Sequence, residues 1–597
     1  MKSFQNHDDQ DIWNILICSG VQIVGFWAVV MALCAIGLFF GFPLQAAYVI
    51  VSFCVVVALS AFLSEWAGKV VMISAAVSLC AIALSCFLAG QFIDWSCDGN
   101  MYHKIAVAAL SEGWNPFRGS VADAEAYSFV YPEGSSAVLW VDHYAQGLWE
   151  FSSCLYAFTH NMEASKCYTL LAMLALSFLV SGYLGVKGFK GWQACVAGLV
   201  AGANPIALAQ FSTYYNDAFL VLSLGILIVG LIMIADSDAL ALRGIALLAV
   251  ASAFVGCVGT KFTGLAYAGM FSLAFACLYI VFGVQRRNGF SFRELLKLGT
   301  FLVGTVLVSV LVIGFSPYVT NYIHEGHPFY PLFGEGAVDI MTGNSPSWIT
   351  GMSSSIEKVI TSLFSPVSNP YLGHESAEPL FKVPFTWDES ELSWLRSCDL
   401  RMSGFGVLFS GSFILCLLVC PVMLVVLYRR CRLFFACFVA YLIATVGLML
   451  GLSDSWWARY SGYAYYFVVF VLVFLFFDAN SRKKAWYRRV SAFTSVTLLV
   501  CLLANSAFFF SYNIVPHWLD SREWYDTIDS LAEVTERDDV DLHIGVRGAQ
   551  PGLLYTLRDW GIPFEYEGIN PEGFVADGEL QHLEYRFNPK SGNDGAE

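Results

Sequence analysis

Apolar runs of about 20 residues recur along most of the chain, and a run of that length is what a helix needs to cross a bilayer. The runs at about 14–40, 44–64, 70–93, 167–186, 191–209, 216–235, 242–258, 262–283, 298–315, 404–427, 433–451, 460–477 and 490–511 predict roughly thirteen spans. Lipid offers no partner to backbone N–H and C=O groups, so spans of this kind are helices. Composition agrees: 57% of the 597 residues are hydrophobic and only 13% are charged, about half the charged share of a soluble domain. Mean hydropathy is +0.62. The expected fold class is an all-α polytopic membrane protein. The first residues, Met1 to Asp11, are polar and acidic, and the apolar run after Trp13 is too long for a signal-peptide core, so no cleavable signal is expected.

Basic residues orient the spans. Lys187 and Lys190, then Arg286, Arg287, Arg293 and Lys297, then Arg429, Arg430 and Arg432, then Arg482, Lys483, Lys484, Arg488 and Arg489 all fall inside if the N-terminus is cytoplasmic. The C-terminus is then extracytoplasmic, and the expected location is the inner (plasma) membrane. This division gives a transmembrane domain over 1–511, with large outer loops at about 94–166 and 316–403, and a C-terminal outer domain over 512–597. The net charge of −15 belongs mostly to that domain: from Ser511 onward, eighteen Asp and Glu face six Lys and Arg, a difference of −12. Such a tail suits neither nucleic acid nor anionic lipid. Its pattern predicts a helix over 518–534, a strand over 541–546 and a helix over 551–560, a small α/β unit. Most of the seventeen cysteines sit in apolar runs; Cys97, Cys154 and Cys398 fall in outer loops, where a disulfide can form, but no spacing selects a pair.

Polar chemistry gathers first at Asp94-Trp95-Ser96-Cys97-Asp98-Gly99-Asn100-Met101-Tyr102-His103. Ser96 or Asp98 can cap a helix over about 100–112, which Gly113 ends and Asn115-Pro116 turns away. Ile105, Ala108, Ala109 and Leu110 give that helix an apolar face suited to lying on the bilayer. A second amphipathic stretch, 134–158, offers Trp140, Leu148, Trp149 and Phe151 as interface anchors. On the same side fall His103, Asp142 and His143, Tyr214 to Asp217, Lys261 between two spans, and Arg459 before a late one. A carboxylate such as Asp98 can take a proton from an acceptor hydroxyl, and separate cations can hold a phosphate leaving group. Each residue also has a plainer role: Asp98 and Asp217 as helix caps, Lys261 and Arg459 as cations reaching for the interface, His143 as a surface histidine. His324, Glu325 and His327 lack zinc-helix spacing, and Pro328 breaks any helix there.

Taken together, Asp98-Gly99-x-x-Tyr102-His103, Gly113-Trp114-Asn115-Pro116, Gly326-His327-Pro328-Phe329-Tyr330-Pro331 and Ala458-Arg459-Tyr460 resemble the multi-spanning GT-C class of glycosyltransferases. The likeness is to bacterial members related to the protein O-mannosyltransferase and aminoarabinose transferase group. The resemblance implies a GT-C-like membrane domain in which Asp98 is the base or the ligand of a divalent cation, magnesium or manganese. It implies that Lys261 and Arg459 hold donor phosphate, with Tyr102, His103, His143, Asp217 and Tyr330 as further substrate-binding candidates. Two departures stand out: no second acidic residue adjoins Asp98, and Ala145-Gln146 follow His143-Tyr144 where relatives carry a lysine.

Nucleotide sugars are made in the cytoplasm, so an outward-facing site needs a flipped carrier, most simply a polyprenyl-phosphate sugar. The acceptor is left open among glycan, lipid and protein. A surface-glycan polymerase or ligase is the nearest alternative. A transporter or flippase fits less well, because it would place ionisable groups at mid-membrane.

Overall fold

The computed structural model describes residues 7–236, 242–283, 292–373, 381–481, 485–537 and 540–589. Arg286, Arg287, Arg482, Lys483 and Lys484 of the orientation argument lie outside these residues. Eleven helices among those described are long and apolar enough to cross a membrane, from Gln10–Phe40 to Ala485–Glu536. The two other expected spans are shorter apolar helices, Ala47–Leu63 and Gly191–Gly202. The second stops short because Asn204-Pro205 interrupts it: proline cannot donate to the preceding turn, and Asn204 caps the new helix Pro205–Gln210 through Ile206 N (3.0 Å).

Small residues let the first spans pack closely. The helix Gly68–Ala89 buries Ser74, Ala75, Ser78 and Ala81. Ser78 donates to Gln22 Oε1 (3.0 Å) and to the carbonyl of Ser19 (3.2 Å) on the helix His7–Phe40. Hydroxyls of this kind satisfy themselves on neighbouring backbone where water is absent.

Ion pairs stand at both ends of the bundle. The helix Asp217–Ala235 spans about 28 Å at 1.5 Å per residue. Past its far end Asp236 pairs with Lys187 (2.8 Å), and Arg243 pairs with Glu294 (2.8 Å). Its near end, at Asp217, belongs to the site described below.

Two expectations about the first loop are corrected. The helix over 100–112 is a π-helical turn, Gly99–His103, continuing into Lys104–Ser111, and every residue from Lys104 to Leu110 is buried. Protein covers its polar side as well as its apolar one, so it does not lie on lipid. Likewise Trp149, in the helix Gly147–Thr159, is buried and hydrogen-bonded within the protein rather than anchored at an interface. Among the described residues no two cysteines are joined in a disulfide.

The chain after Ala485 is one helical course to Glu536, 52 residues long, so no linker separates the last span from the tail. There follow β1 (Val540–Val546), the helix Leu553–Asp559, β2 (Glu565–Ile569), β3 (Gly578–Leu580) and β4 (Leu583–Pro589). The strands form one sheet in the order β2-β1-β4-β3, with β1 parallel to β2 and antiparallel to β4. The parallel pair joined through a helix is the α/β pattern expected from the sequence.

Candidate active site

The turn that carries Asp98 is held by its neighbours. The buried Asp94 carboxylate accepts from Ser96 N (2.8 Å) and Tyr214 N (3.0 Å). Asn100 Nδ2 donates to the carbonyls of Asp94 (2.6 Å) and Ser96 (3.0 Å). A side chain at Gly99 would collide with the Asp94 carboxylate and the Ser96 hydroxyl, so only glycine fits. Ser96 Oγ accepts from Gly99 N (3.1 Å) and is therefore the cap. The Asp98 side chain makes no capping bond.

Instead Asp98 faces Arg459, with Oδ2 3.9 Å from Nη1. The same Nη1 lies 3.5 Å from Asp217 Oδ2, and Arg459 Nε lies 3.2 Å from Asp399 Oδ1. Asp217 also binds Lys261. The rings of Trp457 (4.8 Å), Tyr215 (4.9 Å) and Tyr460 (5.0 Å) stand about the guanidinium carbon. Tyr460 OH accepts from Nη2 (3.2 Å), whereas Nε and Nη1 have ion-pair neighbours but no aligned hydrogen bond. Two nitrogens of a buried guanidinium are thus held by neighbouring carboxylate charge without an aligned hydrogen bond.

Burial pushes the Asp98 pKa above the ordinary aspartate value, against the opposing pull of Arg459 and Lys261. Burial also works against the Lys261 ammonium, but Asp217 and the phenols of Tyr144 and Tyr460 outweigh it and hold its pKa up. Burial, then the charge of Asp98, raises the Tyr102 phenol, which stays protonated. His103, whose ring lies 4.4 Å from that of Tyr102, accepts from Trp149 Nε1 at Nδ1 (2.6 Å). Burial, with Lys261 and Arg459 adding to it, pushes His103 down to about 3. It is a neutral imidazole with its proton on Nε2.

His143 and Tyr330 meet in a second cluster. Their rings are 4.9 Å apart and perpendicular, and Asn321 joins them, bonding His143 Nδ1 (2.9 Å) and the carbonyls of His143 (3.0 Å) and Tyr330 (2.8 Å). Asp142 is not part of the site: it accepts from Ser120 Oγ (2.5 Å) and Val121 N (2.7 Å) and holds a loop.

Asp399 was missed from the sequence. It reaches Arg459 because Arg401 binds its other oxygen (Nη2 2.9 Å) while Trp457 Nε1 donates to Oδ1 (3.1 Å). Tyr215 stood in the outer-mouth group read from the sequence, and Tyr460 in the Ala458-Arg459-Tyr460 motif. As arranged, Asp98, Asp217 and Asp399 surround a guanidinium rather than a common point. Among the described residues the one group whose ligand atoms converge as a metal site requires is His543, Glu565 and Glu567, in the sheet. The residues about Asp98 do not fit a divalent cation as they stand.

A bundle of apolar helices with a buried Asp–Arg–Asp–Lys cluster at one end defines a polytopic membrane protein with a polar site at the end of its bundle. No family model and no curated protein matches the sequence. The chain is similar to two crystal structures of ArnT from Cupriavidus metallidurans. One is bound to undecaprenyl phosphate, at 12% identity and TM-score 0.45, covering 82% of this chain and 84% of that one. The other is the apo state, at 13% identity and TM-score 0.45, covering 83% and 86%.

Proposed function

We propose that the protein is a glycosyltransferase that moves a sugar from a polyprenyl-phosphate donor to an acceptor on the extracytoplasmic face. The observation that carries this reading is the meeting of Asp98 with Arg459, 3.9 Å apart, where Nε and Nη1 of the guanidinium lack an aligned hydrogen bond. Asp98 takes the proton of the acceptor hydroxyl as that oxygen attacks the sugar carbon. Arg459 and Lys261 hold the donor phosphate and stabilise it as it leaves. Asp217 and Asp399 keep the two cations in position before the donor binds. Tyr102 and the Nε2–H of His103 are hydrogen-bond donors for the substrate, and His143 from the first outer loop and Tyr330 from the second add a further contact for it.

A planar fork suits phosphate oxygens as an ammonium does not. Arg459→Lys should therefore weaken binding of undecaprenyl phosphate and lower turnover in purified protein that remains folded. Near-normal binding and kinetics in Arg459→Lys would reduce Arg459 to an interface anchor.

The donor argument depends on sidedness. A reporter after Glu597 is expected outside the cytoplasm and one at residue 287 inside it. Tags read the other way round would put Asp98 in reach of nucleotide sugars and remove the need for a lipid carrier.

A further inference from the structure

The turn bearing Asp98 is gripped by the C-terminal unit. Gly552 N donates to the carbonyl of Asn100 (2.8 Å), two residues past Asp98. A Cβ on Gly552 would stand 2.8 Å from both the Cα and the oxygen of Asn100, so the two backbones are packed as closely as glycine allows. Before the turn, Ser521 Oγ accepts from Ile93 N (2.9 Å) and Tyr525 OH donates to the Gly90 carbonyl (2.9 Å).

The grip also runs through the buried carboxylate of Glu163. Its Oε1 accepts from Lys104 Nζ (2.5 Å) and Thr556 Oγ1 (2.8 Å). Its Oε2 accepts from Asp94 N (3.0 Å) and from Lys166. One side chain thus joins the start of the Asp98 turn, the helix that follows it and the tail. Asp559 adds two bonds beside it, from Met162 N (2.6 Å) and Tyr156 OH (2.7 Å).

Among the described residues the Asp98 side chain has no hydrogen bond, only the 3.9 Å approach to Arg459 Nη1, so the backbone of this turn sets where it can reach. We infer that the C-terminal unit is the positioning element of the active site, with Gly552 and Thr556 as positioning residues that hold Asp98 against the substrate. The inference rests on the transferase reading for its chemistry, but the grip itself does not. A shift of about 1 Å in a reacting group can cost on the order of 100-fold in rate.

The test uses full-length purified protein, the lipid-linked sugar fraction of its source membranes as donor, and undecaprenyl phosphate as binding probe. Gly552→Ala and Thr556→Val are expected to lower turnover roughly 10- to 100-fold. Donor KM and probe affinity should stay within about twofold, the pattern of an interaction felt at the reacting centre and not in donor binding. Amide exchange over 94–103 should quicken in both variants. Thr556→Ser, which keeps the hydroxyl, should restore both readouts. Thr535→Val, which removes a hydroxyl bonded within its own tail helix (3.0 Å to the Leu531 carbonyl), should change neither. If Gly552→Ala fails to fold, the Thr556 pair decides. Unchanged turnover and exchange in Thr556→Val overturn the inference, and so does a Thr556→Ser variant as poor as Thr556→Val. If Asp98→Asn keeps its turnover while exchange over 94–103 still answers to Thr556, the base role of Asp98 falls and the grip stands; if the parent protein transfers no sugar from the lipid-linked fraction, the transferase reading falls and exchange alone decides the grip. If Asp98→Asn is inactive and exchange ignores Thr556, this inference alone falls.

Discussion

Asp98→Asn is expected to abolish transfer while leaving the protein folded, because an amide cannot take a proton. A positioned general base is worth about two to four orders of magnitude in rate. The structure separates this effect from stability, since Ser96 and not Asp98 caps the helix. Ser96→Ala should be the variant that costs on the order of 1 kcal/mol. The pH profile gives a second readout. Burial raises the Asp98 pKa, and the base works only when ionised, so kcat/KM should fall on the acid side at a pH above that of a free aspartate. A folded Asp98→Asn protein with more than about a tenth of parental turnover would be too active for that general-base contribution, and the role would have to pass to another group.

Glu163→Gln should be the most destabilising single polar change. It leaves Lys104 and Lys166, both fully buried, without the carboxylate they share. Removing one partner of a buried pair costs roughly 3–5 kcal/mol, because the remaining charge stays desolvated. The measurement is the temperature at which the detergent-solubilised protein loses its monodisperse peak. Adding Lys104→Met should recover part of the loss, since Lys166 is still held by the carbonyls of Ala89 (3.2 Å), Phe92 (2.6 Å) and Glu163 (3.1 Å). A Glu163→Gln protein as stable as the parent would show that the two lysines find other counter-charges.

Spans were legible because lipid imposes one simple rule, a long apolar helix, and the sequence obeys it. The exceptions follow from the same rule: Gly191–Gly202 is cut short where Pro205 withholds an N–H. Asp98, Asp217, Lys261 and Arg459 were legible singly, as rare charges beside apolar runs, and the fold brings the four together. Asp399 was not, because it lies in a polar segment with other acids and is brought to the site by a local pairing with Arg401 and a tertiary contact with Trp457. The helix Lys104–Ser111 was misread for a physical reason. An apolar face reads alike whether lipid or protein covers it, and nothing in the sequence announces that distant Thr556 would come to cover Lys104 on the other side (3.4 Å). The pairing of Glu163 with Lys166, three residues apart, was in principle visible as helical spacing.

The contact between Gly552 and Asn100 also orders events in time. A chain is made from its N-terminus, so the Asp98 turn emerges some 450 residues before the segment that grips it. Until then Glu163 lacks its bond from Thr556, and the Asn100 carbonyl lacks the Gly552 N–H. Residues around 552 thus complete contacts begun by residues made about 450 positions earlier. A product released early would carry the full span set and every charged residue around Arg459, yet lack the contact that closes the turn. The fold thereby makes the turn that carries Asp98 wait on a segment made long after it.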